Sequence, residues 1–209
     1  MIRKMSFILG LAAIVAASGG AFAAGGDPKE GAVKSALCHG CHGENGQSIA
    51  PNFPNLAGQK PGYIFKQVTD FKNNHRYNDT MSPMALTVAS NQDLKDIAAY
   101  FSTQKSMTAM IPGSDGKLLK QGETIFASGN PKTGLYGCVN CHGKNGKGKS
   151  GSNQVFPVIG GQNKDYLVAQ LTTFRSGERK NDPAGMMGDI AKRLSDAEIE
   201  AVSEYLSSL

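Results

Sequence analysis

Beyond its first two dozen residues the chain has no apolar run approaching the roughly 20 residues that a membrane-spanning helix needs, which excludes helical spans from the rest of it. A concentrated basic stripe is missing too. The 22 lysines and arginines are scattered among 17 acids, and removing Arg3 and Lys4 takes the formal charge from +5 to +3. Nucleic-acid binding therefore has no support. Histidine is scarce, four in 209 residues, so imidazole ligands for any metal are few.

What is present begins with a leader. Residues 1–24 open on Arg3 and Lys4, run through apolar Phe7 to Ala17, and close on Ala21-Phe22-Ala23-Ala24. That is the three-part layout of a cleaved secretory signal peptide, with cleavage expected after Ala23 or Ala24 and a periplasmic destination. The remaining length suits two small domains better than one large core. We expect them at 25–101 and 117–209, joined by a polar linker, 102–116, broken by Pro112, Gly113 and Gly116.

An internal repeat supports that division. Cys38-x-x-Cys41-His42-Gly43-x-Asn45-Gly46 returns one hundred residues later as Cys138-x-x-Cys141-His142-Gly143-x-Asn145-Gly146. At an offset of 103, Gln59 matches Gln162, Tyr63 matches Tyr166, Gln67 matches Gln170, Phe71 matches Phe174 and Arg76 matches Arg179. Near the ends the offset is 105, Ser90 with Ser195 and Tyr100 with Tyr205. Offsets growing in small steps mean loop insertions in a duplicated unit, so the same site is built twice.

Each unit reads as helical. Asp27-Pro28-x-Glu30 combines a cap, a proline at the first helical position and an acid in the first turn. Its counterpart is the stretch 117–127. Tyr63 to Phe71 and Tyr166 to Phe174 carry apolar residues at helical spacing. Ser90-x-x-Asp93 and Ser195-x-x-Glu198 resemble capping boxes that open a final helix. Three helices and long Gly/Pro-rich loops make a thin core, and units of this size usually need something more to hold them.

A haem supplies that core. In C-x-x-C-H the two thiols add across the porphyrin vinyl groups and the adjacent imidazole becomes the proximal iron ligand. Cys38, Cys41, Cys138 and Cys141 are thus expected to hold two haem c groups, with His42 and His142 on the irons. Disulfides, a redox dithiol or a zinc site would each leave the two histidines unexplained. His39 lies between two cysteines on the proximal side, and His75 is the only spare histidine. Methionine is the remaining soft ligand in both halves: Met81 or Met84 in the first, Met186 or Met187 in the second. Phe53, Leu56, Phe71 and Ile97, with Phe156, Ile159, Phe174 and Val202, are candidates for the pocket linings.

Over essentially its whole mature length the chain resembles the dihaem cytochrome c4 family, through the motifs above together with Pro51-Asn52-Phe53-Pro54-x-Leu56-Ala57-Gly58-Gln59 and Gln170-Leu171-Thr172-x-Phe174-Arg175. The resemblance implies an all-α fold of two tandem class I cytochrome c-like domains. It implies two His/Met haems in a non-enzymatic electron carrier, a monomer that is soluble or peripherally membrane-associated. The partners it implies are membrane respiratory complexes: an upstream quinol-oxidising complex and a haem-copper terminal oxidase. It points to Met81, the first methionine of a Met-x-x-Met stretch, and to Met187, which has Ile190 three residues on. The spacing departs from the pattern, however: Met81 lies nine residues before Ser90 and Met187 eight before Ser195. Met84 and Met186 therefore stay open.

Two other readings compete. A dihaem peroxidase-like enzyme would use His75 as a displaceable ligand, and a subunit of a larger oxidoreductase would need only the two haems. Lys144, Lys147 and Lys149 stand where the first half has Glu44, Gln47 and Ser48, which suggests that the second half docks an acidic partner.

Overall fold

The computed structural model describes residues 25–149, 154 and 156–209. The expected signal peptide, 1–24, lies outside the described residues. Among the described residues there are helices and no strands, only one isolated antiparallel bridge between Asn130 and Leu135. No described helix is long and apolar enough to cross a membrane.

The first half holds α1 (Pro28–Lys34), α2 (Ala36–His42), α3 (Pro61–Lys72), α4 (Met81–Leu86) and α5 (Asn91–Ser102). The second repeats them as α6 (Gly116–Ser128), α7 (Val139–His142), α8 (Lys164–Ser176), α9 (Met186–Ala191) and α10 (Asp196–Ser207). The caps are those the sequence suggests. Asp27 accepts the Lys29 N–H at 2.8 Å, Ser90 accepts that of Asp93, and Ser195 with Glu198 forms a full capping box. Among the described residues five α-helices per half replace the expected three. The additions, α2 with α4 and α7 with α9, are four to seven residues long, too short to show a helical period.

In each half the first helix packs on the last, α1 on α5 and α6 on α10. Gly31 and Gly122 permit the contact. A Cβ on Gly31 would lie 2.0 Å from the Asp96 carbonyl oxygen, and one on Gly122 2.0 Å from that of Ala201. These glycines are 91 residues apart, whereas the Cys-x-x-Cys-His motifs are 100 apart. The second half thus carries nine extra residues between its first helix and its motif.

Ile64, Ile97, Ala98 and Phe101 form the first core; Ile125, Phe126, Leu135, Leu167, Leu194, Ile199, Val202 and Leu206 form the second. A third cluster, Ala57, Met107 and Val158, joins them. Met107 belongs to the connection between α5 and α6, so that segment is held as well as spanning: Met107 is 1 % exposed, and the Asn55 side chain donates to the Thr108 carbonyl at 2.9 Å.

Candidate functional site

One cavity of about 1170 Å³ runs through both halves. Cys38, Cys41 and His42 line it in the first half and Cys138, Cys141 and His142 in the second, and the four thiols form no disulfide. All eight apolar residues singled out as pocket candidates line it as well. Burial pushes the Cys38 thiol up and that of Cys138 up to about 11, and it depresses both imidazoles. Among the described residues no three His, Cys, Asp or Glu side chains converge to hold a bare ion.

The imidazoles are oriented identically. His42 Nδ1 donates to the Pro54 carbonyl at 2.9 Å, and His142 Nδ1 to that of Pro157 at 3.0 Å. A carbonyl can only accept, so the proton sits on Nδ1 and Nε2 keeps its lone pair for a metal. The glycine of each Asn-Gly pair holds the loop that brings this carbonyl near. Gly46 O accepts from the Leu56 and Ala57 N–H groups, and Gly146 O from those of Ile159 and Gly160. Both glycines sit at positive φ, 73° and 65°.

All four candidate methionines line the cavity. Asn78 Oδ1 accepts the Met81 N–H at 2.8 Å, and Asp182 Oδ2 accepts that of Met187 at 2.7 Å. Met186 is 37 % exposed and Met187 half-buried. Met81 and Met84 are both half-buried. His75 is exposed and absent from the lining; its side chain approaches Asp70 at 3.9 Å. His39 also stands outside, 2.9 Å from Ser35 Oγ. Lys144, Lys147 and Lys149 are exposed and none lines the cavity; Lys147 Nζ donates to the Gly160 carbonyl.

A second set of repeated residues meets where the two halves of the cavity join, and their joint role has no local sequence signal beyond the shared offset of 103. Arg76 donates to Gln67 and Gln170, each at 2.7 Å, and to the Tyr166 hydroxyl at 3.1 Å. Arg179 mirrors it, donating to Gln170 at 2.7 Å, Gln67 at 3.1 Å and the Tyr63 hydroxyl at 3.1 Å. Each guanidinium lies over its own phenyl ring, Arg76 on Phe71 at 4.6 Å and Arg179 on Phe174 at 4.3 Å. Among the described residues neither arginine pairs with a carboxylate, although Arg179 is buried. A buried cation met only by neutral oxygens favours an anionic neighbour. An apolar cavity with paired thiols, an imidazole with a free Nε2, thioethers and two unpaired guanidiniums therefore fits a haem with its acidic substituents.

The comparisons agree. The cytochrome c family model matches residues 29–105 and again 119–209. Cytochrome c4 of Thiocapsa roseopersicina is 45 % identical over 186 residues, 88 % of this chain and 93 % of that protein. The chain belongs to the cytochrome c4 family. The crystal structure of reduced recombinant cytochrome c4 from Pseudomonas stutzeri superposes with a TM-score of 0.80 at 42 % identity, over 88 % of this chain and 99 % of that one. A thiosulfate dehydrogenase electron acceptor of Stutzerimonas stutzeri (strain A1501) is 36 % identical over 173 residues, 82 % of this chain and 78 % of that protein. This cytochrome c4 family member has two tandem all-α cytochrome c domains. It carries two covalently bound haem c groups and transfers electrons.

Proposed function

We propose that the protein is a periplasmic shuttle that carries electrons between respiratory complexes, from a quinol-oxidising complex toward a terminal oxidase. Cys38 and Cys41 tether the first haem and Cys138 and Cys141 the second. His42 with Met81 would hold the first iron, and His142 with Met187 the second. Domain 1 is 25–101 and domain 2 is 117–209, with 102–116 between them.

The observation that best supports this reading is the paired bond from His42 to Pro54 and from His142 to Pro157, which sets both imidazoles in the same tautomer. Bound haem supplies a reversible one-electron Fe(II)/Fe(III) couple. The chain's own work is to present one nitrogen and one sulfur per iron, exclude water with Phe53, Phe71, Phe156 and Phe174, and hold the first turn of each thioether helix through Asn78 and Asp182. A histidine and a methionine in each half, both lining the cavity, would fill the two remaining positions of each iron, which favours a carrier over an enzyme.

The name of the 36 % identical relative favours a second donor, an enzyme such as thiosulfate dehydrogenase in place of a quinol-oxidising complex. Membrane vesicles given the reduced protein distinguish these routes. Oxidation that needs oxygen and stops with cyanide supports the oxidase as acceptor, and quinol or thiosulfate dehydrogenase supplied separately identifies the donor. No oxidation by cyanide-free, aerated membranes overturns delivery to an oxidase.

A further inference from the structure

The nine extra residues of the second half build a feature that the first half does not have. They fall between Gly122 and Cys138, where α6 ends and the chain turns back through 130–135 before reaching the motif. The turn is rigidly held. Asn130 and Leu135 exchange two backbone hydrogen bonds of 3.0 Å, and the Asn130 side chain donates to Glu198 at 2.7 Å. Leu135 is buried in the second core, and Arg193 Nη1 donates to the Thr133 carbonyl at 3.0 Å.

So anchored, the turn places an exposed surface at the mouth of the second half of the cavity. Tyr136 and Arg193 both line that cavity, and Tyr136 is nonetheless 74 % exposed. Lys132 at the turn's tip and Lys192 beside Arg193 are exposed too. Among the described residues none of the three cations pairs with a carboxylate, and the acids lining the second half of the cavity are Glu178, Asp182 and Asp189.

The corresponding rim of the first half has its lysines paired with carboxylates. Lys34 is bound by Asp93 at 2.9 Å and Asp96 at 2.5 Å, Lys66 is bound by Asp70, and Leu37 and Tyr77 are exposed apolar members. The whole halves differ in the same sense. Residues 25–101 hold seven bases and seven acids, residues 117–209 twelve bases and nine acids.

We infer that the inserted turn, with Lys132, Tyr136, Lys192 and Arg193, is a docking platform for an acidic redox protein, which exchanges electrons with the second haem there. The inference rests on haem occupancy of the second domain, and not on which respiratory complex is the partner. Three positive charges held on a rigid frame attract an acidic surface before contact, and a flat aromatic ring gives that contact an apolar centre at little entropic cost. The lysines of the 144–149 loop, away from the cavity lining, would add only to the long-range field.

The test follows oxidation of the fully reduced dihaem protein by copper(II) plastocyanin, an acidic one-electron acceptor: one haem iron goes from Fe(II) to Fe(III) as the copper goes from Cu(II) to Cu(I). Stopped-flow rates are compared for wild type, Lys132→Glu/Lys192→Glu, Tyr136→Ala, and a control of equal charge change, Lys29→Glu/Lys105→Glu. Arg193 is left in place because it holds the turn. The rim reversal should slow association about tenfold or more at low ionic strength and converge with wild type at high salt. Tyr136→Ala should be slower at every salt concentration, and the control should stay near wild type. Equal slowing by the control, a salt-independent wild-type rate, or an unslowed rim reversal each overturns the platform. Haem spectra and melting curves of every variant separate that failure from loss of the second haem, which would overturn the site assignment instead.

Discussion

Gln59 holds the backbone of Val158 by both of its polar groups: it donates to the valine carbonyl at 2.8 Å and accepts the valine N–H at 2.9 Å. Gln162 does the same to Asn55, 103 residues away from each of the first pair, at 3.0 and 2.8 Å. Both glutamines are buried, so truncating either leaves a carbonyl and an N–H without water or partner. Gln59→Ala and Gln162→Ala should each cost about 1–3 kcal/mol. Chemical denaturation should show the lowered midpoint, and a transition that splits in two would mark the halves melting apart. Midpoints within error of wild type would contradict the assignment of stability to these bonds.

Methionine ligation is tested by spectrum. Met81→Ala and Met187→Ala should each remove about half of the methionine-to-iron charge-transfer band of the oxidised protein and lower one reduction potential, since thioether ligation favours Fe(II). Met84→Ala and Met186→Ala should leave the band intact. The reverse result in either pair would move the ligand by three residues in the first half or by one in the second.

Covalent attachment is tested in the second half. Cys138→Ser or Cys141→Ser should weaken retention of one haem under denaturing extraction and lower the melting temperature of domain 2, whose apolar cavity would lose its filling. Full haem content with an unchanged melt in the double variant would rule out these thiols as the tether.

Acid stability follows from Asp96. The Lys34 ammonium, followed by the Asp27 N–H, lowers its carboxyl from 3.8 to about 2, and Lys34 is raised in turn. A carboxylate depressed in the folded state binds protons more readily once unfolded, so its contribution is present above 3.8 and disappears as pH falls through about 2. Asp96→Asn should therefore lower the melting temperature at neutral pH and flatten its decline across that window. Parallel wild-type and variant curves down to about pH 2 would exclude the linkage.

Legibility in the sequence followed how local each signal was. Cys-x-x-Cys-His compresses a tether and a ligand into five residues, and the caps at Asp27, Ser90 and Ser195 act within one turn, so all could be read directly. The short methionine helices could not, because six residues hold less than two turns and the residues that accept their first N–H groups, Asn78 and Asp182, also suit ordinary loops. The repeat displayed Gln59, Gln67 and Arg76 with their partners, yet pairing residues more than 90 apart in sequence is a property of the packed halves. The nine-residue insertion is hidden in the sequence for a related reason: α1 and α6 share little beyond the glycine that touches the last helix, and that contact exists only in three dimensions.

The reciprocal grip of the glutamines and arginines has a consequence for what the tandem chain is. When residue i of one unit holds residue j of the other, and the equivalent of i holds the equivalent of j in return, the contact is isologous, the kind that joins two identical subunits about a twofold axis. The polypeptide is in this sense a dimer closed by covalent fusion. The segment from α5 to α6 fixes its effective concentration, so assembly no longer depends on how much protein the cell makes. Fusion also frees the two subunits from identity, and each can change one face while keeping the shared one. In such a chain an inserted turn can flank one half of the cavity and be absent from the other.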